Sequence, residues 1–327
     1  MIEAGIRSRP IIILGVDRSG TSIVARLAHE WGAYGGDLTQ LMRSDPANPK
    51  GYWENRSLVL FIHEIFKAVG PEFWRTGFDE ALRSKADDPT LRDPAAQLVA
   101  GMAGAGPAWF WKEPLLSLQL PFWKELWGDA TYIITVRNPY DSAVSWEKMM
   151  VPREVAGRIS ILALNLLRWQ HFMLTILRHL DGSKRKLFVP YEDLVRDPRS
   201  QCLRICDFLD AETGLENRSE ERLERMAQAV DPDLWRNRSE TDFSQVEIAT
   251  REQKGLYELM QRKVEDPDAP FEAGAYPMYE GWREYLQNFS EFEAFYGSVN
   301  QLLRSRFVRL ALAVSQSFAS LRRFRKS

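Results

Sequence analysis

The sequence is poor in the residues that build disulfides, metal sites and many nucleophilic centres: it has two cysteines and four histidines among 327 residues. Cys202 and Cys206 lie four positions apart in a helical pattern. This spacing favours two buried thiols over a disulfide or a metal site, and so few cysteines are typical of a reducing compartment. The histidines also fall in helical patterns, so we expect them to be structural or surface residues rather than catalytic ones. They are His29, His63, His171 and His179.

The sequence also lacks a charge excess and a long apolar run. Its formal net charge of −2 argues against a protein that binds nucleic acid through bulk electrostatics. No apolar run approaches the length of a membrane span, and the N-terminal stretch MIEAGIRSRP has no apolar core of the kind a signal peptide needs. With 45% hydrophobic and 12% aromatic residues, the chain can bury a substantial core. We therefore expect a folded cytoplasmic protein.

Apolar strand patterns alternate with helical patterns along the chain as far as about residue 215. Strands that alternate with helices indicate an α/β fold, in which a parallel sheet is flanked by helices on both faces. Ligands of such sheets bind at the carboxyl ends of the strands, where the polar motifs described below are found. The predicted strands are Pro10–Gly15, Ala108–Pro114, Ala130–Pro139 and Lys186–Leu194. The predicted helices are Ser22–Trp31, one from about Ser57, further helix across 71–107, and Val155–Leu180.

The C-terminal part of the chain is polar and helical, with no clear domain boundary before a basic end. Gln301–Ser327 carries seven basic residues and no acidic one, with apolar residues at helical spacing. We therefore predict a single domain over residues 1–300 and a basic amphipathic helix over residues 301–327. Two interpretations of this helix stay open: peripheral contact with an anionic membrane, or packing on the domain or on the second subunit of a homodimer.

The stretch PIIILGVDRSGTSIVARL leads from the first strand through a glycine-bounded turn into a helix. Gly15 and Gly20 bracket the turn, and Thr21 and Ser22 open the helix. Backbone N–H groups and hydroxyls at a helix N-terminus form an anion site, and Arg18 adds a permanent positive charge. The lysine that follows the second glycine in nucleotide-binding loops is missing. The alternative is a tight turn with ordinary capping.

A second motif, VRNPYDSAVS, follows the third strand. Arg137 ends the strand, Ser145 lies eight residues later, and Asp141 occupies a position that suits a helix cap. The arginine and the serine are expected to share one phosphate, the first through charge and the second through its hydroxyl. The alternative is a capped helix with an exposed arginine.

Together these motifs resemble the cofactor signature of sulfotransferases that use 3′-phosphoadenosine 5′-phosphosulfate (PAPS). GVDRSGTS is similar to that family's 5′-phosphosulfate loop, and RNPYDSAVS to its 3′-phosphate motif. FVPYEDLVRDP resembles the strand and turn that follow, while KGYWE and WKEPLLSLQLPFW resemble segments of the bacterial and carbohydrate-type branch. The likeness covers roughly Pro10–Asp210, with the motifs in the family's order.

The resemblance implies the sulfotransferase fold, a P-loop-like parallel sheet flanked by helices, here with a helical C-terminal extension. PAPS is the implied cofactor, and sulfuryl transfer from it needs no metal. Arg18 and the segment Ser19–Ser22 (Ser19, Gly20, Thr21 and Ser22) would hold the phosphosulfate, and Arg137 with Ser145 the 3′-phosphate. Tyr191 would lie near the adenine or serve as a core aromatic. Arg236 and Arg238 would reach the 3′-phosphate, unless they are exposed surface arginines, because the Arg-Lys-Gly pattern of the animal enzymes is missing.

Catalysis of sulfuryl transfer needs positive charge for the leaving phosphate and a base for the acceptor hydroxyl. Arg18 and Lys112 are the candidates for the charge, although Lys112 also suits a strand-end ion pair. Two glutamates compete for the base. Glu54 occupies a loop where several family members place a catalytic glutamate. Glu113 lies near the sequence position at which the animal branch has its catalytic histidine. We favour Glu54, because adjacent strand residues point to opposite faces and Glu113 would face away from Lys112 unless Pro114 bends the chain. Glu54 could also be a simple helix-start acid.

Two other classes of protein remain in competition with a sulfotransferase: a nucleotide-dependent kinase of related architecture, and a nucleotide-binding scaffold without chemistry. The kinase is disfavoured by the missing lysine and by the lack of a clear metal-binding acid at a strand end. The acceptor suggested by the resemblance is a small molecule or glycan: a glycan, a glycolipid or a secondary metabolite from a bacterium. Tryptophans near the predicted site suit stacking on such an acceptor, but an aromatic core is the more favoured interpretation. They are Trp53, Trp109, Trp111 and Trp123.

Overall fold

The structure is a computed structural model that describes residues 8–45, 48–70, 72–150, 161–239, 241–278 and 281–284. The chain forms two compact units, Met1–Tyr279 and Glu280–Ser327. In the second unit only residues 281–284 are described, and there the guanidinium of Arg283 stacks on the ring of Trp282. The basic amphipathic helix predicted over residues 301–327 lies outside the described residues and stays a prediction.

Four parallel strands form the sheet of the first unit, in the spatial order β2-β1-β3-β4. The central strand β1 has the sequence RPIIIL, and the isoleucines and the leucine in it are completely buried. Side chains of parallel strands are covered on both faces by helices, so continuous β-branched runs suit them. The strands are β1 Arg9–Leu14, β2 Ala108–Lys112, β3 Thr131–Val136 and β4 Lys186–Pro190.

Helices cover both faces of this sheet. The helices of the described residues are α1 Thr21–Trp31, α2 Arg56–Val69, α3 Phe78–Ala86, α4 Pro89–Ala103, α5 Leu120–Trp127, α6 Pro139–Met150, α7 Leu162–Leu180, α8 Tyr191–Arg196, α9 Pro198–Thr213, α10 Glu220–Ala229 and α11 Arg251–Glu265. Ile12 and Leu14 face a core that includes helices α2, α3, α5, α7 and α11, whereas Ile11 and Ile13 face a core that includes α1, α9 and α10. This alternation is the period of two that a strand imposes, and it confirms the predicted parallel α/β fold. Within the described segments, none of the helices combines the length and the apolar character that crossing a membrane requires.

Three predicted strands were too long. The predicted strand Ala130–Pro139 is observed as β3 Thr131–Val136, and helix α6 begins at Pro139. The second strand ends at Lys112, because Pro114 begins a 3₁₀ helix that runs to Leu118 and turns the chain. The fourth ends at Pro190, and helix α8 begins at Tyr191 with two acidic residues in its first turn, where the helix dipole favours them. The predicted helix Val155–Leu180 is described only from Leu162, since residues 151–160 lie outside the described part.

The predicted capping role of Asp141 was also wrong. Asp141 lies inside the first turn of α6, and its Oδ1 accepts a hydrogen bond from the backbone N–H of Ser239 at 2.9 Å. At the start of this helix, Oδ1 of Asn138 accepts from the N–H of Tyr140 at 2.9 Å. Asp141 therefore ties the chain near residue 239 to the helix that follows the third strand.

The tryptophans near the carboxyl ends of the strands belong to the core. Trp109, Trp111 and Trp123 are at most 2% exposed, and Trp111 meets the other two rings edge to face at 5.0 and 5.3 Å. Trp53 is half-buried beside His29. The aromatic-core interpretation is thus confirmed for the first three. Cys202 and Cys206 are buried free thiols, as predicted, and burial raises the pKa of each to about 12.

A buried lysine fixes the turn that follows α11. The side chain of Lys263 is 1% exposed, and its ammonium donates to the carbonyls of Pro267 at 3.3 Å and Ala269 at 2.6 Å. Burial lowers the pKa of this lysine, although its charge is still satisfied by two carbonyls and by Asp181 at 3.9 Å. The lysine therefore supplies donors that no water can replace without opening the core.

We expect Lys263→Ala to reduce the free energy of unfolding by about 2–4 kcal/mol, because two buried carbonyls lose their donor. Arg262→Ala, one residue earlier on the exposed side of α11, is the matched control and should change it by less than about 0.5 kcal/mol. Urea unfolding measures both variants. Equal stability of the two variants would show that these contacts contribute nothing.

Candidate active site

A cleft opens where the carboxyl ends of the strands meet. Its walls come from the loop after β1 with the first turn of α1, the segment 48–54, the end of β2, Arg137 after β3, Ser145 and Met149 of α6, Tyr191, and the segment 229–237. Most of the predicted site residues line this cleft: Arg18, Gly20, Thr21, Ser22, Glu54, Lys112, Glu113, Arg137, Ser145 and Tyr191. None of the four histidines lines it, and Ser19 and Arg238 lie outside it.

Ser19 shapes the loop instead of facing the cleft. Its side chain is 2% exposed, and its hydroxyl donates to the carbonyl of Val16 and pairs with the hydroxyl of Thr135, each at 2.6 Å. Its backbone N–H donates to the same carbonyl at 3.3 Å. Ser19 therefore closes the turn and ties it to β3, and the N–H groups left for an anion are those that follow it.

Gly20 is the N-cap of α1 and has φ of 99°, in the left-handed region that glycine adopts without strain. A Cβ at this position would lie 2.3 Å from Cδ2 of Tyr191, because the tyrosine ring packs directly on the glycine. No side chain caps the helix. The first-turn N–H groups at Thr21 and Ser22 have no intrahelical acceptor and point toward the cleft end of α1. This helix terminus is therefore open to an anion.

Arg18 is turned toward the second motif. Its backbone has φ of 65°, which is unusual for a residue with a side chain, and its Nε donates to Oγ of Ser145 at 3.1 Å. Its carbonyl accepts from Nη1 of Arg137 at 2.6 Å. Burial lowers the pKa of Arg18, and the guanidinium groups of Arg137 and Arg236 add to this effect. The loop after β1 and the motif after β3 are thus joined through one residue.

Arg137 is held from three sides and is 7% exposed. Nη1 donates to Arg18, Nη2 donates to the carbonyl of Asn237 at 2.8 Å, and the guanidinium stacks on the ring of Tyr191 at 4.5 Å. Its Nε is buried without a hydrogen-bond partner among the described residues. Tyr191 therefore packs against both Gly20 and Arg137, and in this structure it supports these two candidate anion-binding residues.

A third arginine enters the cleft from the segment 229–237. Arg236 lines the cleft, whereas Arg238 stacks on the indole of Trp235 at 4.8 Å and borders a different surface pocket. Of the two arginines that the sequence suggested, the structure thus places Arg236 in the cleft. Three guanidinium groups and the hydroxyl of Ser145 form a donor set suited to a dianionic phosphate.

Lys112 lies on the opposite side of the loop, with its side chain 2% exposed. Its ammonium donates to Oε1 of Glu54 at 2.5 Å, and to Oγ of Ser22 and the carbonyl of Tyr52 at 3.1 Å each. Glu54 precedes the helix α2, whose cap is Asn55, so Glu54 is not a capping acid. The lysine holds the carboxylate of Glu54 beside the N-terminus of α1.

Glu113 also borders the cleft, because the chain bends at Pro114. Its Oε2 accepts from the N–H of Leu116 at 3.1 Å and so caps the 3₁₀ helix. Burial raises the pKa of Glu113 to about 8, and the carboxylates of Glu54 and Asp17 contribute to the rise. The carboxyl of Glu113 is therefore protonated at neutral pH, whereas Glu54 is ion-paired.

Several cleft residues escaped the sequence analysis. Asn48 donates from Nδ2 to the hydroxyl of Ser22 at 3.1 Å, and Lys50 pairs with Asp231 across the cleft at 2.8 Å. Tyr52 donates to Asp45 at 2.8 Å, and burial, followed by this hydrogen bond, raises the pKa of Tyr52 to about 12. These residues lie in an irregular loop, where the spacing of residues in the sequence does not indicate which way a side chain points. Among the residues that the structure describes, no group of three or more histidine, cysteine, aspartate or glutamate side chains is arranged to hold a metal ion.

Much of the chain matches a known protein family. Residues 10–214, well over half of the chain, match the profile of a family described as the sulfotransferase family. No curated protein sequence matches the chain.

Solved structures of three bacterial-type domains are similar to this chain at low identity. The sulfotransferase domain of the olefin synthase from Synechococcus PCC 7002 is 22% identical, with 78% of this chain and 95% of that one covered and a TM-score of 0.43. The sulfotransferase domain from the curacin biosynthetic pathway is 19% identical, with 78% and 98% covered and a TM-score of 0.42. Sulfotransferase STF9 from Mycobacterium avium is 19% identical, with 68% and 67% covered and a TM-score of 0.41.

We expect wild-type stability to fall between about pH 5 and pH 8, because the unfolded chain ionises Glu113 in this range while the folded chain keeps its proton. Stability from this group is complete below the unfolded value of 4.5 and is lost as the pH rises through about 8. Glu113→Gln removes the titration but keeps an acceptor for Leu116. Its stability relative to wild type should rise with pH by on the order of 1 kcal/mol per pH unit.

Urea unfolding at pH 5, 7 and 9 checks this expectation. Glu125→Gln, an exposed glutamate in α5, is the control and should run parallel to wild type. If the Glu113 variant also runs parallel, the carboxyl does not bind its proton more tightly in the folded state.

Proposed function

The chain belongs to the sulfotransferase family, and we propose that it transfers a sulfuryl group from PAPS to a hydroxyl group of an acceptor. The observation that carries the proposal is the double anion site. The open N-terminus of α1 lies in one cleft with Arg18, which donates to Ser145, and with Arg137 and Arg236. A donor with a phosphosulfate at its 5′ end and a second phosphate at its 3′ position matches two such sites.

PAPS supplies an activated sulfuryl group attached to its 5′-phosphate. The first-turn N–H groups of α1, with the hydroxyls of Thr21 and Ser22, are suited to hold that end. Arg137 and Ser145 are suited to hold the 3′-phosphate, since a guanidinium and a hydroxyl both donate to phosphate oxygens. A nucleotide without a 3′-phosphate would leave the buried charge of Arg137 without its anion.

The contacts of Arg18 support a modified role for this residue. The family resemblance assigns it to the phosphosulfate, but its guanidinium is hydrogen-bonded to Ser145, on the 3′ side. Lys112 is the cation bonded to Ser22 at the start of α1. We therefore assign the charge next to the transferred group to Lys112, and a share of the 3′-phosphate to Arg18.

Glu54 is our candidate for the base that takes the proton of the acceptor hydroxyl. It borders the cleft, it is 13% exposed, and Lys112 holds its carboxylate in place. Glu113 is less suited, because it binds a backbone N–H and carries its own proton at neutral pH. In the proposed transfer the hydroxyl oxygen would attack the sulfur and its proton would move to the carboxylate of Glu54. The bond between the sulfur and the bridging oxygen of the 5′-phosphate would break at the same time, and adenosine 3′,5′-bisphosphate would leave with that oxygen.

The acceptor is proposed as a hydroxyl-bearing glycan, glycolipid or bacterial secondary metabolite, and the compartment as the cytoplasm. The tryptophans offer no stacking platform for it at Trp109, Trp111 or Trp123, which are buried in the core. Asn48, Tyr52 and Met149 border the cleft and are available to an acceptor. Membrane contact or a homodimer through residues 301–327 stays a prediction.

Calorimetry with adenosine 3′,5′-bisphosphate, the desulfated donor, tests the proposal, with ATP–Mg²⁺ as the competitor. Tight binding of the bisphosphate that persists in EDTA supports a PAPS donor. Preference for ATP with a strict Mg²⁺ requirement would indicate a kinase instead. Binding of neither nucleotide would contradict the proposal that PAPS is the donor.

We expect Arg137→Ala to weaken binding of the bisphosphate by about 30-fold or more, since a buried charge-assisted contact to phosphate is lost. Binding of AMP, which has no 3′-phosphate, should weaken by less than about threefold. Calorimetry measures both ligands, with the exposed Arg199→Ala as the control. An equal loss for both ligands would contradict the assigned contact.

We expect Glu54→Gln to lower kcat by about 10²–10⁴-fold while the dissociation constant for the bisphosphate stays within about threefold, because the base acts on the acceptor. Glu113→Gln should lower kcat by less than about tenfold. Transfer from sulfur-35-labelled PAPS to an acceptor selected by screening provides the rate. A larger loss in the Glu113 variant would transfer the role of base to Glu113.

A further inference from the structure

An ion pair lies beneath the loop that follows β1. Nη2 of Arg168, in helix α7, lies 2.5 Å from Oδ2 of Asp17, in the loop. The side chains are 14% and 25% exposed, so the pair is largely shielded from solvent. Asp17 borders the cleft and immediately precedes Arg18. The pair therefore connects helix α7 to the loop that carries Arg18.

Arg168 is fixed by two aromatic rings. Its guanidinium carbon lies 5.0 Å from the ring centre of Trp146, in α6, and 4.8 Å from that of Phe172, one turn further along α7. Planar guanidinium groups stack on such rings with an electrostatic attraction. The charge of Arg168 is thus held at a defined point, and Asp17 meets a rigid partner.

The loop needs this support because of its backbone. Arg18 has φ of 65°, a conformation that is unfavourable for a residue with a Cβ. The donation from Arg137 to the carbonyl of Arg18 holds the loop after the strained φ angle. The pair between Asp17 and Arg168 holds it before that angle. Strained conformations persist where the surroundings hold them from several sides.

The charge of Asp17 is a second reason why the loop needs Arg168 beside it. This carboxylate borders a cleft proposed to receive phosphate groups, and it is close enough to Glu113 to contribute to the raised pKa of that residue, after burial and Glu54. An unpaired carboxylate here would repel an anionic ligand across a poorly solvated space. Arg168 compensates that charge from the side facing away from the ligand.

The buried side of Asp17 is polar. A small cavity, with room for about one water molecule, is bordered by Asp17, Ser142, Asn165 and Arg168. Oγ of Ser142 and Oδ1 of Asn165 are buried there without a hydrogen-bond partner among the described residues. Oδ2 of Asp17 meets the guanidinium of Arg168 as an ion pair, at an angle that does not make a hydrogen bond. The carboxylate is therefore directed between α6 and α7.

We propose that Arg168 is a positioning residue for donor binding whose main effect is electrostatic: it cancels the charge of Asp17, a carboxylate that would otherwise oppose the donor. The inference rests on the proposed function, because it concerns the same phosphate-binding loop. Arg168 itself does not line the cleft.

A double-mutant cycle with adenosine 3′,5′-bisphosphate as the probe tests this role by calorimetry. We expect Arg168→Met to raise the dissociation constant about tenfold, and Asp17→Asn to change it by less than about threefold. The double variant, which lacks both the charge and its partner, should return to within about threefold of wild type. Arg178→Met, an exposed arginine ten residues along α7, is the matched control and should bind as wild type does.

Arg168→Lys is the second variant, in case the methionine variant does not fold; circular dichroism checks the folding of each protein. The lysine keeps the charge, so we expect a loss of less than about threefold. A lysine variant as weak as the methionine variant would overturn the electrostatic role. A double variant as weak as Arg168→Met alone would also overturn it. Failure of wild type to bind the bisphosphate would instead overturn the proposed function, and this inference with it.

Discussion

The hydrogen bond from Arg137 to the carbonyl of Arg18 joins the two halves of the anion site, and the rest of the cleft depends on it. It forms because β1 and β3 are neighbours in the sheet, so that the loop after one strand and the motif after the other leave the sheet side by side. Tyr191, which follows β4, packs on Gly20 and beneath Arg137. The order of the strands thus turns two motifs, separated by over a hundred residues, into one site.

Positive and negative charge lie side by side in the cleft, as the proposed transfer requires. Arg18, Arg137 and Arg236 lie at the Ser145 side, whereas the carboxylate of Glu54 lies beside Lys112. Lys112 separates the two regions, since it donates to Ser22 at the start of α1 and to Glu54. Buried charges are stable when they are paired in this way. An electrostatic arrangement of this kind suits in-line transfer between an anionic donor and a neutral hydroxyl.

The sequence predicted the features that depend on local pattern. Apolar runs such as the isoleucines of β1 located the strands, and glycine and hydroxyl residues at a strand–helix turn located the loop. The direction of a side chain was harder to obtain. Ser19 points into the turn and Arg18 toward Ser145, because contacts with Val16, Thr135 and Arg137 decide their orientations. Asp17, Lys50 and Arg168 gave no signal, since their partners are distant in sequence and no motif spacing connects them.

A crystal structure of the protein with adenosine 3′,5′-bisphosphate would test the account most directly. We predict the 5′-phosphate at the N–H groups of Thr21 and Ser22, and the 3′-phosphate within hydrogen-bond distance of Arg137, Ser145 and Arg18. Lys112 should then lie beside the 5′-phosphate. A bisphosphate bound with its two phosphates exchanged, or bound outside this cleft, would contradict the assignment of a PAPS site to these residues.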